Sequence, residues 1–234
     1  MMRPGTDHDG HDPAQRRRRG ALAAVRHLRR ASARLGALID RIGPHRPIIT
    51  SNPFAALIGS IVHQQVSMSA GRAIYRRVVE RCARRRLTPP ALLAVSEGDL
   101  RGAGLSRQKA AYVRNIAEAF VSRTLTPAKL RRMSDEDAVA AVTEIKGVGR
   151  WTAEMLLIFC LERPDVWPVD DLGLKKAVRN FLGHTEMPSI AAMNELAEPW
   201  RPYRSYATWY LWRSLEGPVL PAVTPANSGS KRRA

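Results

Sequence analysis

Two adjacent carboxylates, Asp170 and Asp171, open the run Leu172-Gly173-Leu174-Lys175-Lys176, and Asp171 stands twenty residues beyond Trp151. One acidic side chain is expected there on helix-capping grounds alone, because a short oxygen acceptor satisfies the free amides of a first turn. Two allow one to cap while the other faces a cleft. A carboxylate so placed can stabilise a positive charge that develops as a bond breaks, or deprotonate a water molecule. Trp151 in turn follows Ile145-Lys146-Gly147-Val148-Gly149, a pattern of hydrophobic, any, Gly, hydrophobic, Gly with a helical run on either side. Glycine admits backbone conformations closed to other residues and lets a ligand approach the amides closely. A helix that starts at Gly149 or Arg150 leaves its first N–H groups free for an anion such as a phosphate. Dinucleotide-binding turns also use Gly-x-Gly, but they need a preceding strand and a third Gly where Thr152 stands here. The phosphate-binding loop of nucleotide hydrolases is excluded because no Gly-Lys-Ser/Thr follows. A plain helix-to-helix turn is the structural alternative.

The elements that must position these residues read as helices throughout. Apolar residues recur at helical spacing from Ala21 to Ile42, and Gly43-Pro44 stops that run. Pro53 opens a helix that ends in His63-Gln64-Gln65-Val66-Ser67, and a longer one follows from about Ser69 to Arg84. Adjacent Gln64 and Gln65 at a helix end can hydrogen-bond base edges or fill a gap left by a lost base, or they can serve as ordinary polar caps. Thr88 to Val95, Gly98 to Gly104 and Ser106 to Arg123 read as further helices punctuated by Pro and Gly. Arg107 and Lys109 fall in the first turn of the third of these, the unfavourable end for a cation, which points to a phosphate or a partner nearby. Ser134 with Asp137 makes a capping-box-like start for the helix that leads into the Gly-Val-Gly turn. The helix from Trp151 to Leu161 is apolar nearly all round, hence central and buried. Six of the fourteen aromatic residues (Trp200, Tyr203, Tyr206, Trp209, Tyr210, Trp212) lie within thirteen positions, enough to pack a core or to wall a pocket for a flat ligand. Beta-branched runs of period two are absent, so the fold class is all-α, built from about ten short helices.

The formal charge of +17 favours a polyanionic partner if it belongs to the folded body. Residues 1–20 account for +2 and residues 221–234 for +3, which leaves +12 on residues 21–220. The first and last of these segments read as disordered basic tails, and 21–220 as the folded domain. No apolar run reaches membrane-spanning length and the N-terminus lacks the apolar stretch of a signal peptide, which predicts a cytoplasmic protein without a membrane partner. Two cysteines, Cys82 and Cys160, are too few for a disulfide framework, a zinc site or a four-cysteine iron–sulfur cluster.

Taken together, IxGxGRWTAE, then PVDD before a basic helix, then W-x-P-x-RSYA-x-W-Y-x-W resembles the helix-hairpin-helix superfamily of DNA glycosylases, in particular the DNA-3-methyladenine glycosylase II type, over residues 50–216. The resemblance implies two helical subdomains flanking a DNA-binding cleft, in a compact form that lacks an N-terminal beta domain. It implies a monofunctional enzyme, requiring no cofactor, that flips alkylated purines of the 3-methyladenine and 7-methylguanine type from double-stranded DNA and hydrolyses the N-glycosidic bond in base excision repair.

 It selects Asp171 as the catalytic residue and leaves Asp170 as the cap. It places Trp151, Trp212 and Met155 around the base pocket, and Gln65 as the wedge that fills the gap in the duplex. Gly147, Gly149, Arg150, Thr152, Lys146 and Gln64 complete the DNA-binding set. The resemblance also implies that the carbonyls of Thr143, Ile145 and Val148 can hold a structural Na⁺ or K⁺. Relatives that also cut the strand carry a Lys where Trp151 stands, so no lyase activity is expected, and a monomer is expected. A non-catalytic helix-hairpin-helix DNA-binding protein, or a glycosylase for another lesion such as hypoxanthine, are the competing readings.

Overall fold

The computed structural model describes residues 12–216, and among them every regular element is helical. In chain order the helices are α1 (Pro13–Ala31), α2 (Ala33–Ile42), α3 (Pro53–His63), α4 (Met68–Arg81), α5 (Pro89–Leu93), α6 (Glu97–Gly102), α7 (Arg107–Val121), α8 (Pro127–Arg132), α9 (Asp135–Thr143), α10 (Arg150–Phe159), α11 (Leu172–Leu182), α12 (Ile190–Ala197) and α13 (Arg204–Arg213). Short 3-10 turns follow α4 and α12.

Local chemistry sets most of the boundaries. Ser, Thr, Asn or Asp precedes eleven of the thirteen helices and accepts an amide of the first turn, as with Asn52 before α3, Ser106 before α7 and Ser134 before α9. At the capping-box-like start of α9, Asp137 N–H donates to Ser134 Oγ at 3.1 Å while that hydroxyl, in place of the Ser134 amide, donates to Asp137 Oδ2 at 2.6 Å. The exceptions are α10 and α13. At α13 a distant carboxylate substitutes, because Arg204 N–H donates to Asp165 Oδ1 at 3.2 Å. At α10 the preceding residue is Gly149, and it has no side chain to offer.

The N-terminal expectation needs correction. Helix α1 begins at Pro13, not at Ala21, with Asp12 capping Ala14 N–H and Pro at the first helical position, so 12–20 is not a tail. Arg16 to Arg19 extend the helix because arginine is a good helix former, and Arg17 reaches Glu162 at 2.8 Å. The anticipated single helix to Ile42 is broken at Ser32, whose extended backbone and Oγ start α2. Residues 1–11 and 217–234, including the second anticipated tail, lie outside the described residues.

Two apolar clusters make the core. One unites α3 to α10, with Leu57, Ile58, Ile61, Leu100, Val113, Ile116 and Leu156 buried in it. The other unites α1, α2, α11, α12 and α13 around Leu28, Leu35, Leu174, Trp200 and Tyr210. Phe159 and Trp212 touch both clusters, which places the seam between the subdomains beside the end of α10 and α13. Much of the aromatic run is therefore core: Trp200 and Tyr210 are fully buried, and Trp200 meets Trp167 and Phe181 edge-on.

Candidate active site and nucleic-acid interface

Asp171 is at once the cap of α11 and the centre of the site. Its Oδ1 accepts Leu174 N–H at 2.5 Å and Trp212 Nε1–H at 2.8 Å, and its Oδ2 accepts Trp151 Nε1–H at 2.7 Å. The division of labour expected from two adjacent carboxylates is therefore wrong. Asp170 is not the cap; it is exposed and approaches Lys175 Nζ at 3.7 Å. The reason is register: α11 begins at Leu172, so Asp171 occupies the capping position, and a carboxylate has lone pairs enough to cap and to receive two indoles.

The two indoles come from opposite sides of the seam. Trp151 stands in the first turn of α10 and is 36% exposed, whereas Trp212 lies near the end of α13 and stacks on Phe159 with centroids 5.9 Å apart and an interplanar angle of 20°. One face of Trp212 is thus turned to Phe159, and both indole edges are turned to Asp171. Met155, one helical turn after Trp151, is on the same side of α10 but only 8% exposed, within the first core cluster.

The hairpin precedes this turn of helix. Gly147 has φ of +100°, and a Cβ there would run into the Tyr112 ring, so both conformation and space demand glycine. Gly149 is different: it is extended, and a Cβ would meet nothing within 4 Å. Its openness leaves the uncapped start of α10 facing outward. Asn115 Nδ2 donates to the Lys146 carbonyl at 2.9 Å and fixes the turn from α7, while the Lys146 side chain is exposed. Arg150 is half exposed and held by Glu136 at 3.1 Å and Glu154 at 3.1 Å. Burial pushes the Glu154 carboxyl up from its ordinary range, against the opposing pull of Arg150. Thr152 is 1% exposed, so its hydroxyl faces the interior and only its amide shares the open start of α10.

That buried hydroxyl accepts Gln64 Nε2–H at 3.3 Å. Gln64 is thereby tied inward while Gln65, at φ of 55°, is exposed. Lys109 Nζ donates to the carbonyls of Val62 at 3.1 Å and Gln64 at 2.6 Å. The partner signalled by a cation in the first turn of α7 is the carboxyl end of α3 within the same chain, and burial lowers the pKa of this ammonium. Sequence reading did not identify Glu154, Tyr112 or this use of Lys109; only the misplaced charge of Lys109 gave a signal.

At the hairpin the Ile145 carbonyl accepts Val148 N–H at 2.9 Å, and the carbonyls of Thr143 and Val148 take no hydrogen bond from the described residues. Three oxygens with free lone pairs suit a hard monovalent cation. No group of three or more His, Cys, Asp or Glu side chains suited to a metal is present among the described residues. A cavity of about 890 Å³ opens elsewhere, between α1, the Gly43–Ile49 loop and α13, and neither Trp151, Asp171 nor Trp212 lines it. No helix among the described residues is long and apolar enough to cross a membrane.

Residues 58–202 match the model of the HhH-GPD superfamily of base excision DNA repair proteins. The chain is 33% identical to DNA-3-methyladenine glycosylase 1 of Schizosaccharomyces pombe, across 77% of this chain and 80% of that protein. It is 30% identical to the alkylbase DNA glycosidase-like protein mag2 of the same yeast, across 81% of this chain and 92% of that one. Among solved structures, the S. pombe 3-methyladenine DNA glycosylase in complex with abasic DNA superposes with a TM-score of 0.77 at 32% identity, covering 83% of this chain and 97% of that one. A DNA-3-methyladenine glycosidase from Bacillus halodurans gives 0.74 at 34% identity, covering 82% and 88%. With the family model covering more than half of its length, the chain belongs to the HhH-GPD superfamily of base excision DNA repair proteins.

Proposed function

We propose that the protein is a monofunctional DNA glycosylase that removes alkylated purines, of the 3-methyladenine and 7-methylguanine type, from double-stranded DNA. The observation that carries this reading is the convergence of Trp151 and Trp212 on Asp171, beside the one described helix whose first turn no residue caps.

Backbone first: the open amides of α10 take a phosphate of the damaged strand, aided by the helix dipole, with Lys146 beside them. The Thr143, Ile145 and Val148 carbonyls would hold a Na⁺ or K⁺, which would supply positive charge at the hairpin. Gln65, projecting from its left-handed turn, fills the space that the extruded nucleotide vacates. The flipped base enters beside Trp151 and Trp212. A purine methylated at N3 or N7 is cationic, so an indole face attracts it by about 2 kcal/mol when water is excluded. The same positive charge makes it a good leaving group without prior protonation.

As the N-glycosidic bond breaks, positive charge builds on C1′ and the ring oxygen of the sugar. The Asp171 carboxylate stabilises that charge more strongly than it stabilises the neutral sugar of the ground state. Its two indole bonds and its cap bond leave it little freedom to swing, so this orientation is set before the substrate arrives. The same carboxylate orients the attacking water and accepts its proton. Trp151 occupies the position of a lyase amine, which leaves no covalent route to strand cleavage there. We assign the protein to the cytoplasm, on the nucleoid when bound to DNA, as a monomer.

The test is incubation with methylated duplex DNA. Release of free 3-methyladenine and 7-methylguanine, without a borohydride-trapped protein–DNA adduct, is the expected result. Binding without release of any base from a panel that includes hypoxanthine would refute the enzymatic reading, and release of hypoxanthine alone would refute the alkylpurine assignment.

A further inference from the structure

The Gln64-Gln65 turn is held from three directions. From α7, Lys109 Nζ bonds the Val62 and Gln64 carbonyls at 3.1 and 2.6 Å. These carbonyls flank the helix end, where the chain leaves α3 and its backbone oxygens lack amide partners. From α10, Thr152 Oγ1 accepts the Gln64 amide at 3.3 Å. On the side of α4, the His63 ring lies so close over Gly71 that a Cβ there would run into it, while His63 Nδ1 shares a 2.8 Å hydrogen bond with the Gly59 carbonyl. The next residue, Gln65, takes φ of 55°, a conformation that residues other than Gly, Asn and Asp seldom adopt and that surrounding contacts must enforce.

We propose that Lys109 is a positioning residue for base extrusion: its ammonium ties off the end of α3 and so holds Gln65 outward in its left-handed turn, ready to enter the duplex. Lys109 touches no reacting atom in this role. It acts through the Gln64 carbonyl, one peptide bond before Gln65, and its cost in burial is met by two carbonyl dipoles. That burial, which lowers its pKa, agrees with an inward, structural-electrostatic task and not with a phosphate contact. The inference rests on the reading of Gln65 as the gap-filling side chain.

The distinguishing feature is strandedness. A gap exists to be filled only in duplex DNA, so loss of the turn must slow excision from a duplex and spare excision from a single strand. Single-turnover release of 7-methylguanine from both substrates would be measured for wild type, Lys109→Met, Lys109→Gln, Gln65→Ala and the Lys109→Met/Gln65→Ala double variant. A 2-aminopurine placed beside the lesion reports extrusion by its fluorescence.

The expected result is a loss of about tenfold on duplex for Lys109→Met, with a weaker 2-aminopurine signal and single-strand excision within twofold of wild type. Lys109→Gln, which keeps a donor for one carbonyl, falls between. The double variant is no slower than Gln65→Ala, because both changes remove the same step. Gln65→Ala with unchanged duplex excision overturns the gap-filling reading and the proposal with it. If Gln65→Ala slows duplex excision, the role of Lys109 alone is overturned by unchanged Lys109 variants, by equal losses on both substrates in Lys109→Gln as well as Lys109→Met, or by losses that multiply in the double variant.

Discussion

Replacing Asp171 by Asn separates the two tasks that this side chain combines. Asn is as good a cap as Asp, so its Oδ1 keeps the Leu174 amide and the start of α11 is retained. The amide nitrogen, however, can accept nothing from an indole. Because Oδ1 also keeps Trp212 Nε1–H, it is Trp151 Nε1, the partner of Oδ2, that is left facing another donor. The lost charge-assisted bond costs about 1.5–3 kcal/mol in a dry site, and less here because Asp171 is only partly buried, so roughly 1 kcal/mol of stability is at stake. For the reaction the loss is larger. Removing a pre-oriented electrostatic partner of the transition state costs about 3–4 kcal/mol, or on the order of 10²–10³ in rate. The assay is single-turnover release of 7-methylguanine from duplex DNA, alongside thermal melting and binding to duplex containing an abasic analogue. Expected are a rate loss of that order, binding within about threefold of wild type, and a modest drop in melting temperature. Asp170→Asn is the control, since Asp170 is exposed and has only the 3.7 Å approach to Lys175; its rate should stay within about twofold. Release by Asp171→Asn within tenfold of wild type, or equal losses in both variants, would refute the assignment.

Other perturbations follow from the same geometry. Gly147→Ala should lower stability by roughly 2–4 kcal/mol in urea titration, because it needs a left-handed residue and a displaced Tyr112 ring. Gly149→Ala, with open space around the new methyl, should change stability by less than about 0.5 kcal/mol while weakening duplex binding measured by fluorescence anisotropy. Burial lowers the His45 pKa to about 4, so the folded state binds fewer protons than the unfolded chain between that value and the ordinary 6.5. Stability from this site is complete above about pH 6.5 and is lost as pH falls through 4, at most about 3 kcal/mol and less for a partly exposed ring. His45→Phe should flatten the dependence of urea midpoint on pH across that window. Duplex affinity should fall linearly on a log–log plot against salt, and Lys146→Ala should reduce the slope by about 1 while leaving base release from saturated complexes unchanged.

What was legible in the sequence was mostly local. Ser134 with Asp137 at a helix start, Pro53 opening a helix, and Gly147 between two helical runs each depend on neighbours a few residues away, and each lies where expected. The placement of Asp171 near Trp151 and Trp212 followed from a family resemblance, since those partners lie 20 and 41 residues distant and no periodicity links them. The double duty of Asp171 escaped because adjacent acids invite a division of labour, whereas helix register alone decided it. Arg16 to Arg19 read as a tail for want of a core face, although a charged stretch continuous with an amphipathic helix loses little by joining it. Lys109 announced a partner by its charge at the wrong helix end, but the carbonyls it serves are contributed by residues 45 and 47 positions away.

The hydrogen bond between Trp151 and Asp171 has a meaning beyond the site it completes. Trp151 belongs to α10, packed with α3 and α9 in one cluster, while Asp171 heads α11 and Trp212 rides on α13 in the other. The loop before Asp171 is fastened to α13 by Asp165 with Arg204 at 2.8 Å and by Val166 N–H to Ser205 Oγ at 2.8 Å, so Asp171 and Trp212 travel as one body. Any hinge motion of the two lobes that widens the cleft must therefore stretch the Trp151 bond and spare the Trp212 bond. The Trp151 indole proton is a built-in gauge of lobe separation, readable as a single resonance in a spectrum of the intact protein.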